Sequence, residues 1–139
     1  MIGLVIVAHG GLAREMLATL EHVVGKQPGA RAIGIAPDDD LRAKQEEIRQ
    51  AVREVEAGSG TVVITDMFGG TPSNLAMGTC RMGNVEVIYG ANLPLLVKLG
   101  KTRHLPLAES VSLALDAGHK YINSAGAILS GARSEPARQ

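Results

Sequence analysis

The stretch Val5-Ile6-Val7-Ala8-His9-Gly10-Gly11 decides how the rest of the chain can be arranged. A run of aliphatic residues ends in a histidine and two glycines, and a helical pattern follows. This predicts a buried strand with an imidazole at its carboxyl end. In an open α/β sheet, ligands bind in the crevice outside the carboxyl ends of the strands. His9 is therefore a candidate for chemistry, and a purely structural histidine is the alternative.

A second segment, Thr61–Asn74, repeats this design with a carboxylate in place of the imidazole. Its apolar strand leads to Asp66, and the turn Gly69-Gly70 then opens a helix. Thr71 is the predicted N-cap of that helix, and the proline after it suits the first helical position. The two segments together favour a shared site at one edge of a sheet.

Composition limits the chain to one domain and argues against several classes of protein. Its 139 residues include 14 Lys and Arg against 14 Asp and Glu. No basic stripe is visible, so we expect no nucleic-acid partner. The single cysteine, Cys80, cannot form an internal disulfide. The apolar start Ile2–Ala8 is too short for a membrane span and lacks a charged leader, which predicts a cytoplasmic protein without membrane insertion.

The order of the elements predicts an α/β fold: a single three-layer domain with an open, mostly parallel, doubly wound sheet of four strands. Tyr121–Ile128 is ambiguous, and an antiparallel edge strand is one option for it. We expect the domain to cover residues 1–130 and a flexible tail to cover 131–139. The predicted strands are Ile2–Ala8, Ala30–Ala36, Thr61–Thr65 and Val85–Tyr89, and the predicted helices are Leu12–Val24, Leu41–Ala57, Pro72–Cys80, one opening after Asn92, and Leu107–Ala117.

The acidic trio Asp38-Asp39-Asp40 precedes the helix predicted from Leu41. Carboxylates at a helix start complement the helix dipole and cap free N–H groups. A metal site is the sharper alternative, but adjacent carboxylates in this position are usually caps. We therefore predict caps here and expect no metal.

Three strand ends are predicted to converge: His9, Asp66 with the loop Gly69-Gly70-Thr71, and Asn92. Glycines let backbone N–H groups approach a ligand, and a helix amino terminus favours an anion, so the loop predicts phosphate binding. A neutral imidazole is a good nucleophile for a phosphoryl group when its other nitrogen is held as N–H. Asp66 could accept that N–H, or could merely cap its own loop.

The sequence lacks the motifs that other kinds of phosphate-binding or hydrolytic site require. It has no GxxxxGK[ST] in the first loop and no GxGxxG, so ATP is not the expected phosphoryl source. A receiver domain also carries an aspartate after its third strand, but it needs acidic residues where this chain has Ala8-His9-Gly10. A serine hydrolase would need a G-x-S-x-G elbow, and there is none.

The residues now assembled resemble a known family. Ile6–Gly10, Asp66–Asn74 and Gly90–Pro94 are similar to the corresponding loops of the mannose-family enzyme IIA components of the bacterial phosphoenolpyruvate-dependent sugar phosphotransferase system. The combined D-x-[FW]-G-G-[ST]-P and N-x-P loops after an amino-terminal histidine are a specific signal. The resemblance covers roughly Met1–Ala117.

The resemblance implies that His9 accepts a phosphoryl group from phospho-HPr and passes it to a histidine of a IIB protein. Asp66 would hydrogen-bond His9, and Thr71 would lie beside the phosphate. Phe68 stands where many members have tryptophan, which implies an apolar residue near the site, and Asn92 would make partner or loop contacts. No cofactor or metal is implied.

The same resemblance bears on assembly and leaves two other functions open. Members are commonly homodimers that exchange a last antiparallel strand, but Tyr121–Ile128 departs most from the pattern. Because this chain stops at Gln139, we expect a separate IIB partner. A related family supplies phosphoryl groups to dihydroxyacetone kinase, although it usually has Ser after the histidine. A purely regulatory module sensed through its phosphorylation state is the other alternative.

Overall fold

A central, fully parallel sheet of four strands organises the protein. The computed structural model describes residues 1–135, and the strands lie in the order β2-β1-β3-β4. The predicted fold class is thus confirmed. The strands are β1 Gly3–His9, β2 Ala30–Ile35, β3 Thr61–Thr65 and β4 Val85–Ile88; the helices are α1 Leu12–Val24, α2 Leu41–Val55, α3 Thr71–Met77, α4 Leu93–Lys101, α5 Leu107–Lys120 and α6 Ala125–Leu129.

The two faces of the sheet are covered by different helices, which makes three layers. Successive side chains of a strand point to opposite faces, and β1 is buried on both sides, as its unbroken apolar run predicts. One face packs against α1, α4 and α5. The other packs against α2 and α3. Both cores are built from aliphatic side chains and alanine.

The pairing register brings the carboxyl ends of β1 and β3 together. Val7 pairs with Thr65 across these strands, and His9 pairs with Ile35 on the other side. Asp66 directly follows Thr65, so it leaves β3 beside the end of β1. The register therefore brings Asp66 close to the end of β1, where His9 lies.

The last part of the chain differs from the prediction. Tyr121–Ile128 forms no strand, because α5 continues to Lys120 and α6 begins at Ala125. The Ser124 side chain caps α6 by accepting a hydrogen bond from the backbone of Ala127. Small residues that are poor β formers then favour the helix. Residues 131–135 are exposed and contain no helix or strand, and the rest of the predicted tail, 136–139, lies outside the described residues.

Helix boundaries follow the local hydrogen bonds. Asp40 caps α2 by accepting from the backbone N–H groups of Arg42 and Ala43, which confirms the capping interpretation of the acidic trio. The helix ends at Val55, two residues before the predicted end. The Glu56 carboxylate then accepts from the backbone of the loop that follows. None of the helices in residues 1–135 combines the length and apolar character needed to cross a bilayer.

A buried arginine ties the amino-terminal edge of the sheet together. Arg103 is only 4% exposed. Its guanidinium donates to the carbonyls of Ile2 and Gly29 at 2.8 and 3.0 Å and to the amide oxygen of Gln27 at 3.1 Å. Burial lowers the pKa of Arg103 from its ordinary value. The side chain therefore joins the starts of β1 and β2 to the connection between α4 and α5.

We predict that Arg103→Met destabilises the protein by about 2–4 kcal/mol, because buried carbonyl groups then lose their donor. The free energy of unfolding in urea measures this loss. Arg53→Met is the control, because Arg53 lies on the exposed face of α2 and pairs with Glu46; it should cost no more than about 0.5 kcal/mol. Equal losses in the two variants would contradict the prediction.

Candidate functional site

His9 and Asp66 meet at the carboxyl edge of the sheet. The His9 Nδ1 atom lies 2.7 Å from Asp66 Oδ2, and the backbone N–H of His9 donates to the same oxygen at 3.0 Å. The His9 side chain is 51% exposed, whereas that of Asp66 is 10% exposed. The carboxylate is thus covered and the ring is accessible.

This contact selects one tautomer of the ring. A carboxylate only accepts hydrogen bonds, so Nδ1 carries the proton and Nε2 keeps its lone pair. The exposed Nε2 is the nucleophilic atom of a neutral imidazole. The arrangement therefore allows attack on an electrophile while Asp66 stabilises positive charge on the ring.

Asp66 also orders its own loop. Its Oδ1 atom accepts from the backbone N–H of Met67 at 3.0 Å. Asp66 thus makes both contacts considered from the sequence, one to the His9 ring and one within its own loop. Burial alone would raise the pKa of Asp66. Hydrogen bonds from the backbone and ring of His9, electrostatic attraction to that histidine and the backbone N–H of Asp66 itself outweigh burial. Together they hold the pKa of Asp66 below the usual 3.8.

The two glycines of the loop, Gly69 and Gly70, are required for different reasons. Gly69 has a φ of 87°, a conformation that side chains rarely allow. Gly70 has an ordinary extended backbone with a φ of −87°. A Cβ on Gly70 would lie 3.0 Å from Cε1 and 3.4 Å from Nε2 of His9. The missing side chain therefore leaves room for the ring and for whatever binds to Nε2.

The helices that start beside His9 lack side-chain caps. The N-caps of α1 and α3 are Gly11 and Gly70, and neither contributes a side-chain hydrogen bond. In contrast, side chains cap α2, α4 and α6. The first backbone N–H groups of a helix have no partner within it, so those of α1 and α3 are available to an anion. Gly70 is the N-cap of α3 and Thr71 is its first residue. The helix therefore begins one residue earlier than predicted, where Thr71 was expected to be the cap.

A cavity of about 640 Å³ opens next to His9. Thr71 lies on one side of it, and Asp39 and Leu41 lie on the side formed by β2 and α2. This volume exceeds what a phosphoryl group alone requires. The site is therefore open enough to admit a side chain of another protein.

Two predicted site residues have other contacts. Asn92 caps α4 by accepting from Leu95 N at 3.1 Å, and its amide donates to the carbonyl of Gly118 at 2.9 Å. Its polar groups thus join α4 to α5 and do not face His9. Phe68 is 62% exposed and contacts Tyr89, with ring centroids 4.7 Å apart.

Sequence reasoning passed over Tyr89. The chain has only three aromatic residues, and their scarcity drew attention to Phe68 but applied equally to this tyrosine at the end of β4. The remaining histidines, His22, His104 and His119, are all exposed. Within residues 1–135, no group of three or more His, Cys, Asp or Glu side chains is arranged to hold a metal ion.

Comparison with known proteins decides the family. The model of the family described as "PTS system fructose IIA component" (EIIA-man) matches residues 3–114. The chain belongs to this family. It is thus a mannose-type IIA component of the phosphotransferase system, and its role lies in phosphoryl transfer within that sugar-transport system.

Individual relatives agree with this assignment. The chain is 27% identical over 126 residues to the PTS system mannose-specific EIIAB component of Escherichia coli (strain K12), an alignment that covers 88% of this chain and 39% of that protein. It is 27% identical over 97 residues to the sorbose-specific EIIA component of Lacticaseibacillus casei, covering 69% and 70%. The structure of EIIA from Streptococcus agalactiae shares the fold, with a TM-score of 0.80 at 24% identity and coverage of 89% and 97%.

We predict that Asp66 contributes a pH-dependent part of the stability of this IIA domain. Its pKa is lower in the folded state than the usual 3.8, so the contribution is complete above that value and is lost as the pH falls through the folded pKa. Unfolding in urea at about pH 5 and about pH 3 tests this. The stability gap between wild type and Asp66→Asn should narrow at the lower pH; a constant gap would contradict the assignment.

We predict that Gly70→Ala displaces the His9 ring without unfolding the domain. The backbone conformation of Gly70 suits alanine, so the cost in stability should stay below about 1 kcal/mol. The ¹⁵N resonances of the imidazole measure the ring's tautomer and surroundings. Gly11→Ala is the matched control, because its Cβ would meet only the end of the Arg14 side chain at 3.4 Å. Identical spectra in both variants would count against close contact at Gly70.

Proposed function

We propose that this IIA component is a phosphocarrier that accepts a phosphoryl group from phospho-HPr on His9 and passes it to a histidine of a separate IIB protein. The observation that carries the proposal is the 2.7 Å contact between Nδ1 and Asp66, which leaves Nε2 free at a half-exposed ring. The chain spans 39% of the length of the mannose-specific EIIAB relative. The activity of that whole protein therefore supports only the part played by a IIA domain.

The proposed transfer is a direct exchange between imidazoles. The Nε2 lone pair of His9 attacks the phosphorus, the new N–P bond forms, and the N–P bond of the donor histidine breaks with its electron pair returning to the donor ring. Positive charge develops on His9 during this step, and Asp66 stabilises it. Such transfers are catalysed mainly by positioning and electrostatics. In our proposal they require no cofactor or metal.

The glycine loop would hold the transferred group. Two observations support this role: a Cβ on Gly70 would lie 3.4 Å from Nε2 of His9, and Thr71 lines the cavity that opens beside His9. Gly69 supplies the turn that makes this approach possible. Backbone donors stabilise a phosphoryl group without activating water, which suits a carrier that must keep its phosphohistidine. We place the reaction in the cytoplasm, where the expected protein partners reside.

We predict that phospho-HPr adds one phosphoryl group to the protein and that the group is on His9. Intact-mass analysis counts the groups, and acid-labile, base-stable label identifies a phosphohistidine. His9→Ala should take no label, and ATP alone should give none with the wild type. His104→Ala is the control, because this exposed histidine lies near the amino-terminal edge and should leave labelling unchanged.

Asp66→Asn separates the carboxylate's charge from its hydrogen bond in the same assay. The amide oxygen still accepts from Nδ1 but cannot balance charge on the ring. In a hydrolase triad a comparable change costs about four orders of magnitude in rate; we expect a smaller loss because phosphoryl transfer depends more on positioning.

The labelling experiment also tests the proposed function as a whole. Label that persists in His9→Ala, or that appears with ATP alone, would overturn it.

We also propose that the protein is a homodimer. Within residues 1–135, β2 and β4 are the outermost strands of the sheet. Ile122 and Leu129 are 65% and 88% exposed near the end of the described chain. We predict a mass by light scattering of twice the 14.5 kDa chain, measured over a range of micromolar concentrations. A monomer mass that is independent of concentration would reject this assembly.

A further inference from the structure

Two of the protein's three aromatic rings meet beside the site. Phe68 lies in the loop after β3, and Tyr89 directly follows β4. Their centroids are 4.7 Å apart and their planes are tilted by 49°, and the distance lies within the range of interacting aromatic pairs. The rings are 62% and 50% exposed, so they do not belong to either core.

Phe68 is part of the loop that determines the surroundings of His9. Asp66 at one end of this loop bonds to Nδ1, and Gly70 at the other end lies against Cε1 and Nε2. Gly69 between them adopts a positive φ. Glycine-containing segments lose much conformational freedom when they are ordered. A contact that holds the tip of the loop therefore influences both groups that touch the ring.

Tyr89 is attached to a rigid part of the fold. Ile88, immediately before it, is 3% exposed and pairs with Ile64 of β3. Ala91, two residues after it, donates its backbone N–H to the carbonyl of Thr65 at 3.0 Å. The tyrosine is thus fixed on both sides to the strand from which the Asp66 loop emerges.

We propose that Tyr89 is a positioning residue for phosphoryl transfer, acting through Phe68. The ring contact holds the Asp66–Gly70 loop against His9, so that the carboxylate meets Nδ1 and the glycine backbone lies beside Nε2. The inference rests on the proposed function for its chemistry. The geometric part concerns only the loop and the ring.

If the two rings served instead to bind a protein partner, their loss would have a different kinetic effect. Exposed aromatic side chains also serve as contact area for a protein partner. Loss of contact area raises the donor concentration needed for half-saturation. Loss of positioning lowers the rate at saturating donor.

The test is single-turnover phosphorylation by phospho-HPr over a range of donor concentrations. Tyr89→Ala should lower the saturating rate roughly tenfold, and Tyr89→Phe, which retains the ring, should keep it within about twofold of wild type. Leu93→Ala is the matched control for lost apolar area, because Leu93 is 40% exposed on the same edge; its saturating rate should not fall. An unchanged saturating rate in Tyr89→Ala would overturn the proposal.

A second measurement requires no phosphoryl donor. The amides of His9 and Met67 both donate to Asp66, so their hydrogen exchange reports how well the loop is held. Tyr89→Ala should raise both exchange rates and alter the imidazole ¹⁵N resonances, whereas Tyr89→Phe should not. Unchanged exchange and resonances in Tyr89→Ala would reject the positioning role. If wild-type protein took no label at all, the proposed function would fail, and this measurement would still decide whether Tyr89 positions the loop.

Discussion

The hydrogen bond between Asp66 and His9 is the interaction on which the site depends, and the sheet determines whether it can form. It requires β1 and β3 to be parallel neighbours in the register that pairs Val7 with Thr65. A slip of one residue would turn the side chain at 66 to the other face of the sheet. The two cores oppose such a slip, because Val62 and Ile64 pack in one core and Val63 in the other, and a slip would exchange them between differently shaped surroundings. Packing far from the histidine thus fixes which of its nitrogens carries the proton.

Some backbone groups at the two ends of the strands are satisfied by side chains, and others are not. At the amino-terminal edge, Arg103 and Glu56 satisfy backbone groups of neighbouring loops. At the carboxyl edge, α1 and α3 begin without side-chain caps. Open N–H groups cost stability unless a ligand or water satisfies them. The uncapped N–H groups of α1 and α3 therefore remain available to a ligand beside His9.

Much of this arrangement could be predicted from residue patterns, and the failures have specific physical causes. Aliphatic runs that end in His9 and Asp66 were sufficient to place both side chains at one edge, because parallel strands end together. Asn92 is on the same edge, but its amide is occupied by Leu95 and Gly118, and the position of a distant helix end cannot be deduced from local sequence. Tyr121–Ile128 is short and of mixed propensity, so a cap at Ser124 was enough to make part of it helical. The stacking of Phe68 on Tyr89 depends on tertiary proximity and leaves no periodic pattern.

The difference in exposure between the two central side chains explains how one site could both receive and give a phosphoryl group. His9 is half-exposed because its reaction partners would be the side chains of other proteins, whereas Asp66 is covered and its lowered pKa keeps it ionised at neutral pH. In the proposed exchange, Nδ1 keeps its proton and its bond to Asp66 throughout. The step then moves no proton, and the forward and reverse reactions meet the same electrostatic surroundings. A fixed anion behind the ring stabilises the charged ring whether the group arrives or leaves.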